Sequence, residues 1–144
     1  MEPMEVWKVE LAAGLAHRDV RGTLHLGTDA LEFSGKDATQ PMRIGYTSIA
    51  RVKRLRVSSV LLIHWREGAA TRHTAFYLTK PPPLDPTGAE VTSARAARSP
   101  FTRKTKRGQQ RRNSYYLAST GTELKPTLVA WVAEVRLRTR DAGT

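Results

Sequence analysis

Residues 20 to 34 read VRGTLHLGTDALEFS, and no other stretch constrains the fold as tightly. Val20, Leu24 and Leu26 take one parity and Arg21, Thr23 and His25 the other, the period of a strand with one face on a core and one in water. "GTD" at Gly27 to Asp29 supplies turn residues, and Leu31 and Phe33 then resume the apolar parity. The stretch therefore predicts a β-hairpin. Gly22 falls on the inward parity, where a missing side chain lets a neighbour approach closely.

The same punctuation runs through the first half of the chain. Trp7, Val9 and Leu11 alternate with Lys8 and Glu10, and Met42, Ile44 and Tyr46 alternate with Arg43 and Gly45, each pattern predicting a half-buried strand. In "TSIARVKRLRV" the apolar residues Ile49, Val52 and Leu55 recur every third position, while the β-branched content favours extension. A strand with a bend is the expectation. "SSVLLIHW" is apolar on both faces, as a central strand would be, "REGAAT" turns the chain, and "RHTAFYLT" returns with Thr74, Phe76 and Leu78 on one parity.

"KPPPLDP" ends the pairing, because proline cannot donate to a ladder and restricts the residue before it. No acidic residue occurs between Glu90 and Glu123, and "TSARAARSPFTRKTKRGQQRRNS" has few large apolar side chains to offset the entropy of ordering it. Residues 81 to 113 accordingly read as a flexible, basic insert, after which "SYYLAS" restores a strand pattern. Leu124, Leu128, Trp131 and Val135 then form one stripe of a helix expected from Leu124 to Arg138, with Thr120 or Thr122 as its cap and Pro126 in its first turn. Residues 1 to 144 are expected to form a single domain, mainly β with one C-terminal helix.

The chain carries 24 Lys and Arg against 13 Asp and Glu, a formal charge of +11, which concentrates polyanions around it. With no cysteine there is no disulfide, thiolate metal site or cysteine nucleophile. The start "MEPMEVWKVELAAG" lacks the features of a secretory signal, and apolar runs such as "VLLI" are far short of a bilayer span. A cytoplasmic location is expected, with membrane contact only peripheral.

His17, His25, His64 and His73 show no metal-binding spacing, and no nucleophile elbow, phosphate-cradling loop or dinucleotide fingerprint occurs. The expectation is a non-catalytic protein without a cofactor.

The order of elements, with "VRGTLHLGTDALEFSG" as second and third strands and "LVAWVAEV" as terminal helix, resembles bacterial pleckstrin-homology-like and GRAM-like domains. The resemblance covers about three quarters of the chain and leaves out the basic insert. It implies a seven-stranded bent barrel or sandwich whose open end is plugged by the helix, with Trp131 in the core. It also implies an anion site beside the loop joining the first two strands, at Lys8, His17, Arg18 and Arg21. Arg18 and Arg21, however, stand an odd number of residues apart and take opposite faces of a regular strand.

Two basic groups rise above the general surplus. Arg51, Lys53, Arg54 and Arg56 place charge on both faces of an extended segment, and Arg95, Arg98, Arg103, Lys104, Lys106, Arg107, Arg111 and Arg112 populate the insert. Guanidinium groups pair with phosphate and carboxylate oxygens, so the expected partner is an acidic protein or an anionic lipid surface, docked through insert and rim. Nucleic acid, tracked along its phosphates by the same insert, is the second partner class.

Overall fold

The computed structural model describes residues 1–10, 19–55, 59–81 and 122–144. Within them lie the strands β1 (Met4–Glu10), β2 (Val20–Leu26), β3 (Ala30–Gly35), β4 (Met42–Gly45), β5 (Ile49–Arg54), β6 (Val60–Glu67) and β7 (Ala70–Tyr77). A helix, α1, occupies residues 122–142. The fold is mainly β with one C-terminal helix, as the patterning predicts. The insert from residue 82 onward and the strand expected at "SYYLAS" lie outside the described residues.

The seven strands form one antiparallel sheet in the order β4-β3-β2-β1-β7-β6-β5. Strands β4 and β5 are therefore the two edges, yet only the 3₁₀ turn Tyr46–Ser48 joins them. Laid flat, seven strands would separate their edges by about 29 Å. The chain from Gly45 to Ile49 can reach only about 14 Å. The sheet must curl until its edges approach, and the hollow so formed needs a filling.

That filling is the apolar stripe of α1. Leu128, Trp131, Val132 and Val135 are buried in one cluster with Val6, Leu24, Leu31, Phe33, Ile44, Tyr46, Ile49, Val52, Leu61, Ile63, Trp65 and Phe76. Trp131 is 2% exposed, the plug that the stripe and the resemblance both imply. The C-terminal half of α1 is tied to edge strand β5 and to the β2–β3 turn. Arg136 donates to the Val52 carbonyl on edge strand β5 at 3.0 Å, and Arg138 donates to the Gly27 carbonyl at 2.7 Å. Tyr46, just past β4, donates to the same Gly27 carbonyl at 3.1 Å. Burial raises its pKa, keeping the hydroxyl protonated for that bond.

Several local expectations change. Strand β1 is buried on both faces: Val6 joins the main core, while Val9 and the half-buried Trp7 face the other way, with Val60, Leu62, Ala75 and Tyr77. An alternation read in β1 alone assigns one face to the core, but both neighbours of β1 are themselves inside the sheet. Leu55 packs with this second cluster, so it leaves the Ile49 and Val52 side. Thr122 is already helical and is not the cap, and α1 extends past Arg138 to residue 142. Pro126 accordingly lies beyond the first turn, where it removes the bond the Thr122 carbonyl would accept.

The expectation for Gly22 holds. A Cβ there would overlap the Ser34 carbonyl oxygen and come 2.6 Å from Cζ of Phe33. At the β6–β7 turn, Gly68 has φ +60°, the left-handed region that tight hairpins require and glycine adopts without strain.

Candidate functional site

The three-residue recurrence of Ile49 and Val52 has its cause in a β-bulge. Ile49 pairs with Trp65, but the register then shifts so that Arg51 pairs with His64 and Val52 with Ile63. Without the extra residue, Arg51 would share the face of Ile49 and point at the core. With it, Arg51 and Lys53 stand on the opposite face, and Ile49 and Val52 both remain buried.

On β6 that opposite face carries Val60, Leu62, His64 and Arg66, and on β7 it carries Thr71, His73, Ala75 and Tyr77. The face divides in two. Its apolar half is the second buried cluster, its cationic half, toward the β6–β7 turn, holds Arg51, His64, Arg66 and His73, and Lys53, beside Leu62, stands at the boundary. Arg51, His64 and His73 are direct lateral neighbours on three adjacent strands. The two imidazoles meet edge to face with ring centroids 4.4 Å apart.

Four arginines elsewhere are paired with carboxylates, whereas Arg54, Arg136 and Arg140, like the cations of this half-face, are not paired with one among the described residues. Arg21 is bound to Glu5 at 2.7 Å, Arg43 to Asp29 at 2.8 Å and Glu32 at 3.1 Å, Arg72 to Glu67 at 2.6 Å, and Arg138 to Glu134 at 2.7 Å. Arg51, Lys53 and Arg66 have no such carboxylate among the described residues, and no acidic side chain shares their half of the face. His64 feels the consequence. Its pKa is lowered first by burial and then by His73, Lys53 and Arg51, so the ring is held neutral.

Of the basic residues singled out from the sequence, the structure brings Arg51 and Lys53 together. Arg54, paired with Leu61, points to the other face, as the expectation of charge on both faces requires. Arg21 lies over the Trp7 ring, 5.5 Å from its centroid, with its charge engaged by Glu5. Lys8, in the site implied by the resemblance, has its Nζ 5.5 Å from the Phe33 centroid and 3.8 Å from Glu10. Arg18, His17, Arg56 and the eight basic residues of the insert from Arg95 to Arg112 lie outside the described residues.

Sequence reasoning missed Arg66, His64 and His73. The signal was present, since a two-residue turn at Gly68 and Ala69 pairs residues at equal distance on either side, which places His64 opposite His73. Arg136 and Arg138, cations toward the C-terminal end of α1, tie the helix to β5 and to the β2–β3 turn. A cleft of about 210 Å³ beside Arg136 is lined by Ile49, Ala50, Arg51, Val52 and Thr139.

Among the described residues no three His, Asp or Glu side chains gather to hold a metal ion. No helix among them is long and apolar enough to cross a membrane. No family model matches the chain, and no curated protein is similar to it.

Proposed function

We propose that this chain is a non-catalytic interaction module of the pleckstrin-homology-like class, docking to an anionic surface, either a membrane or an acidic protein. The observation that carries the reading is the gathering of cations without carboxylate partners on one face of the sheet. Among the described residues Arg51, Lys53 and Arg66 share one face of the sheet with no carboxylate bound to them, while four arginines elsewhere have one within 3.1 Å. A rigid sheet holds these charges in fixed relation, and an opposing anionic surface gains their attraction without first breaking an internal ion pair. The basic insert, Arg95 to Arg112, adds charge to the same molecule.

The test is co-sedimentation with vesicles of rising anionic lipid fraction, for the parent and for Arg51→Gln/Lys53→Gln/Arg66→Gln. Each cation at an anionic membrane contributes about 1 kcal/mol, so the triple variant is expected to bind more than tenfold more weakly. Its melting temperature should be unchanged. Equal vesicle binding by parent and variant refutes the membrane form of the reading. Duplex binding with a steep salt slope, in place of vesicle binding, reassigns the same charges to nucleic acid.

A further inference from the structure

The docking reading leaves one feature of the face without a use. His64 Nε2 is buried and, among the described residues, is the only side-chain nitrogen or oxygen of that kind with no hydrogen-bond partner. An unfilled polar atom costs free energy, and a fold retains one most readily where something else completes it.

We propose that Arg51, His64 and His73 form a proton-coupled binding site for a phosphate group, in which the anion and a proton on the histidine pair stabilise each other. The proposal rests on the docking reading and specifies its chemistry. The three residues lie in one line across β5, β6 and β7, on strands about 4.8 Å apart, a width that a single tetrahedral oxyanion and one arginine side chain can span. The exposed guanidinium of Arg51 offers a two-pronged donor. A neutral imidazole offers at most one N–H, but a protonated one donates from both nitrogens.

In the free protein a proton on His64 meets only opposition. Burial comes first, then His73 from β7 and Lys53 and Arg51 from β5. Arg66 on β6 adds a further positive charge, and no carboxylate faces the pair from these strands. An oxyanion over the row reverses the local field, supplies an acceptor for each imidazolium N–H, and draws the proton on. Nε2 meets the anion once His64 turns about its side-chain torsions, and the residue as a whole is only partly buried. By linkage the coupling is reciprocal: the anion raises proton affinity, and acidification raises anion affinity.

Sulfate is the cleaner probe of pH dependence, because it stays a dianion while phosphate itself titrates near about pH 6. Calorimetry and histidine ring NMR on the full chain, near about pH 5.5 and about pH 7.5, bracket the ordinary histidine value. Sulfate should bind more tightly at the lower pH, by up to about tenfold per pH unit for one proton taken up, and should shift the His64 and His73 resonances. His64→Gln/His73→Gln should flatten the pH dependence while keeping residual binding. Arg51→Gln, at an exposed position, should weaken binding at both pH values, and circular dichroism confirms that each variant is folded.

Phosphatidic acid vesicles, compared with phosphatidylserine vesicles of matched charge and with inorganic phosphate, separate a headgroup source from a free one. Preference for phosphatidic acid at low pH supports the headgroup. Binding of inorganic phosphate without vesicle binding supports the free anion. Sulfate binding that depends on Arg51 but is equal at both pH values overturns the proton coupling and leaves the docking reading standing. No sulfate binding at either pH overturns the site. Vesicle binding indifferent to Arg51, Lys53 and Arg66 overturns the docking reading itself.

Discussion

Gly22→Ala puts the packing of the curled sheet to a direct test. Glycine in a strand interior is ordinarily a weakness, and alanine there stabilises by about 0.5–1 kcal/mol through the lost freedom of the unfolded chain. At Gly22 that gain is opposed by two contacts of different kinds. The new methyl overlaps the Ser34 carbonyl oxygen, which belongs to the β2–β3 ladder, and meets the Phe33 ring 2.6 Å from Cζ and 2.8 Å from Cε2. Phe33 is 3% exposed and lies 5.8 Å, centroid to centroid, from Phe76, so it has little room to withdraw.

Overpacking of this kind costs about 1–3 kcal/mol, and a backbone oxygen among the clashing atoms puts the cost at the upper end. The net expectation is a loss of about 2 kcal/mol, a shift of about 1 M in the urea midpoint for a slope of about 2 kcal/mol per molar. Phe33→Leu in the Gly22→Ala background removes the ring contact and leaves the Ser34 contact. The second change should therefore cost less in that background than in the parent, without restoring parental stability. Urea unfolding followed by tryptophan fluorescence measures all four proteins. A Gly22→Ala protein as stable as the parent, or more stable, refutes the argument that Phe33 closes over this glycine.

Other perturbations probe the remaining links. Trp131→Ala should cost about 3–5 kcal/mol, the usual loss for a buried large aromatic, read from the thermal transition. Arg138→Gln removes charged bonds to the Gly27 carbonyl and to Glu134, and a loss of about 1–2 kcal/mol is expected after allowing for solvent screening, with a smaller one for Arg136→Gln. If both arginines only complement the helix dipole, lysine at either position will restore full stability; a tie that depends on the guanidinium fork will not be restored. Because the folded state lowers the pKa of His64, its contribution is complete above the ordinary histidine value, where the ring is neutral in both states. As pH falls through about 6.5 the unfolded chain takes the proton first, so stability declines and then levels off below the folded value. Urea midpoints across that range should show this slope in the parent and a reduced one in His64→Gln.

What the sequence determined by itself is whatever depends on near neighbours along the chain. The parity of Leu24, Leu31, Phe33 and Ile44 is a property of the strand repeat, and the stripe of Leu128, Trp131 and Val135 is a property of the helix repeat, so both are legible without knowing what they pack against. Gly22 was readable for the same reason, as a gap on an inward parity. The tertiary structure decided what depends on distant pairing. Strand β1 is buried on both faces because it lies between β2 and β7, and no alternation within Val6 to Glu10 reports its neighbours. The bulge at Ile49 and Arg51 turns an ambiguous three-residue recurrence into a choice of face, and that choice sends Arg51 and Lys53 to the histidines rather than to the core. Arg136 and Arg138 act as ties because the sheet curls around α1 and brings β5 and the β2–β3 turn within reach of the same stretch of helix, a curl imposed by the short β4–β5 connection across a seven-stranded sheet. Charges on one short segment are visible in a sequence; which of them meet a carboxylate is settled only when strands far apart in the chain are laid side by side.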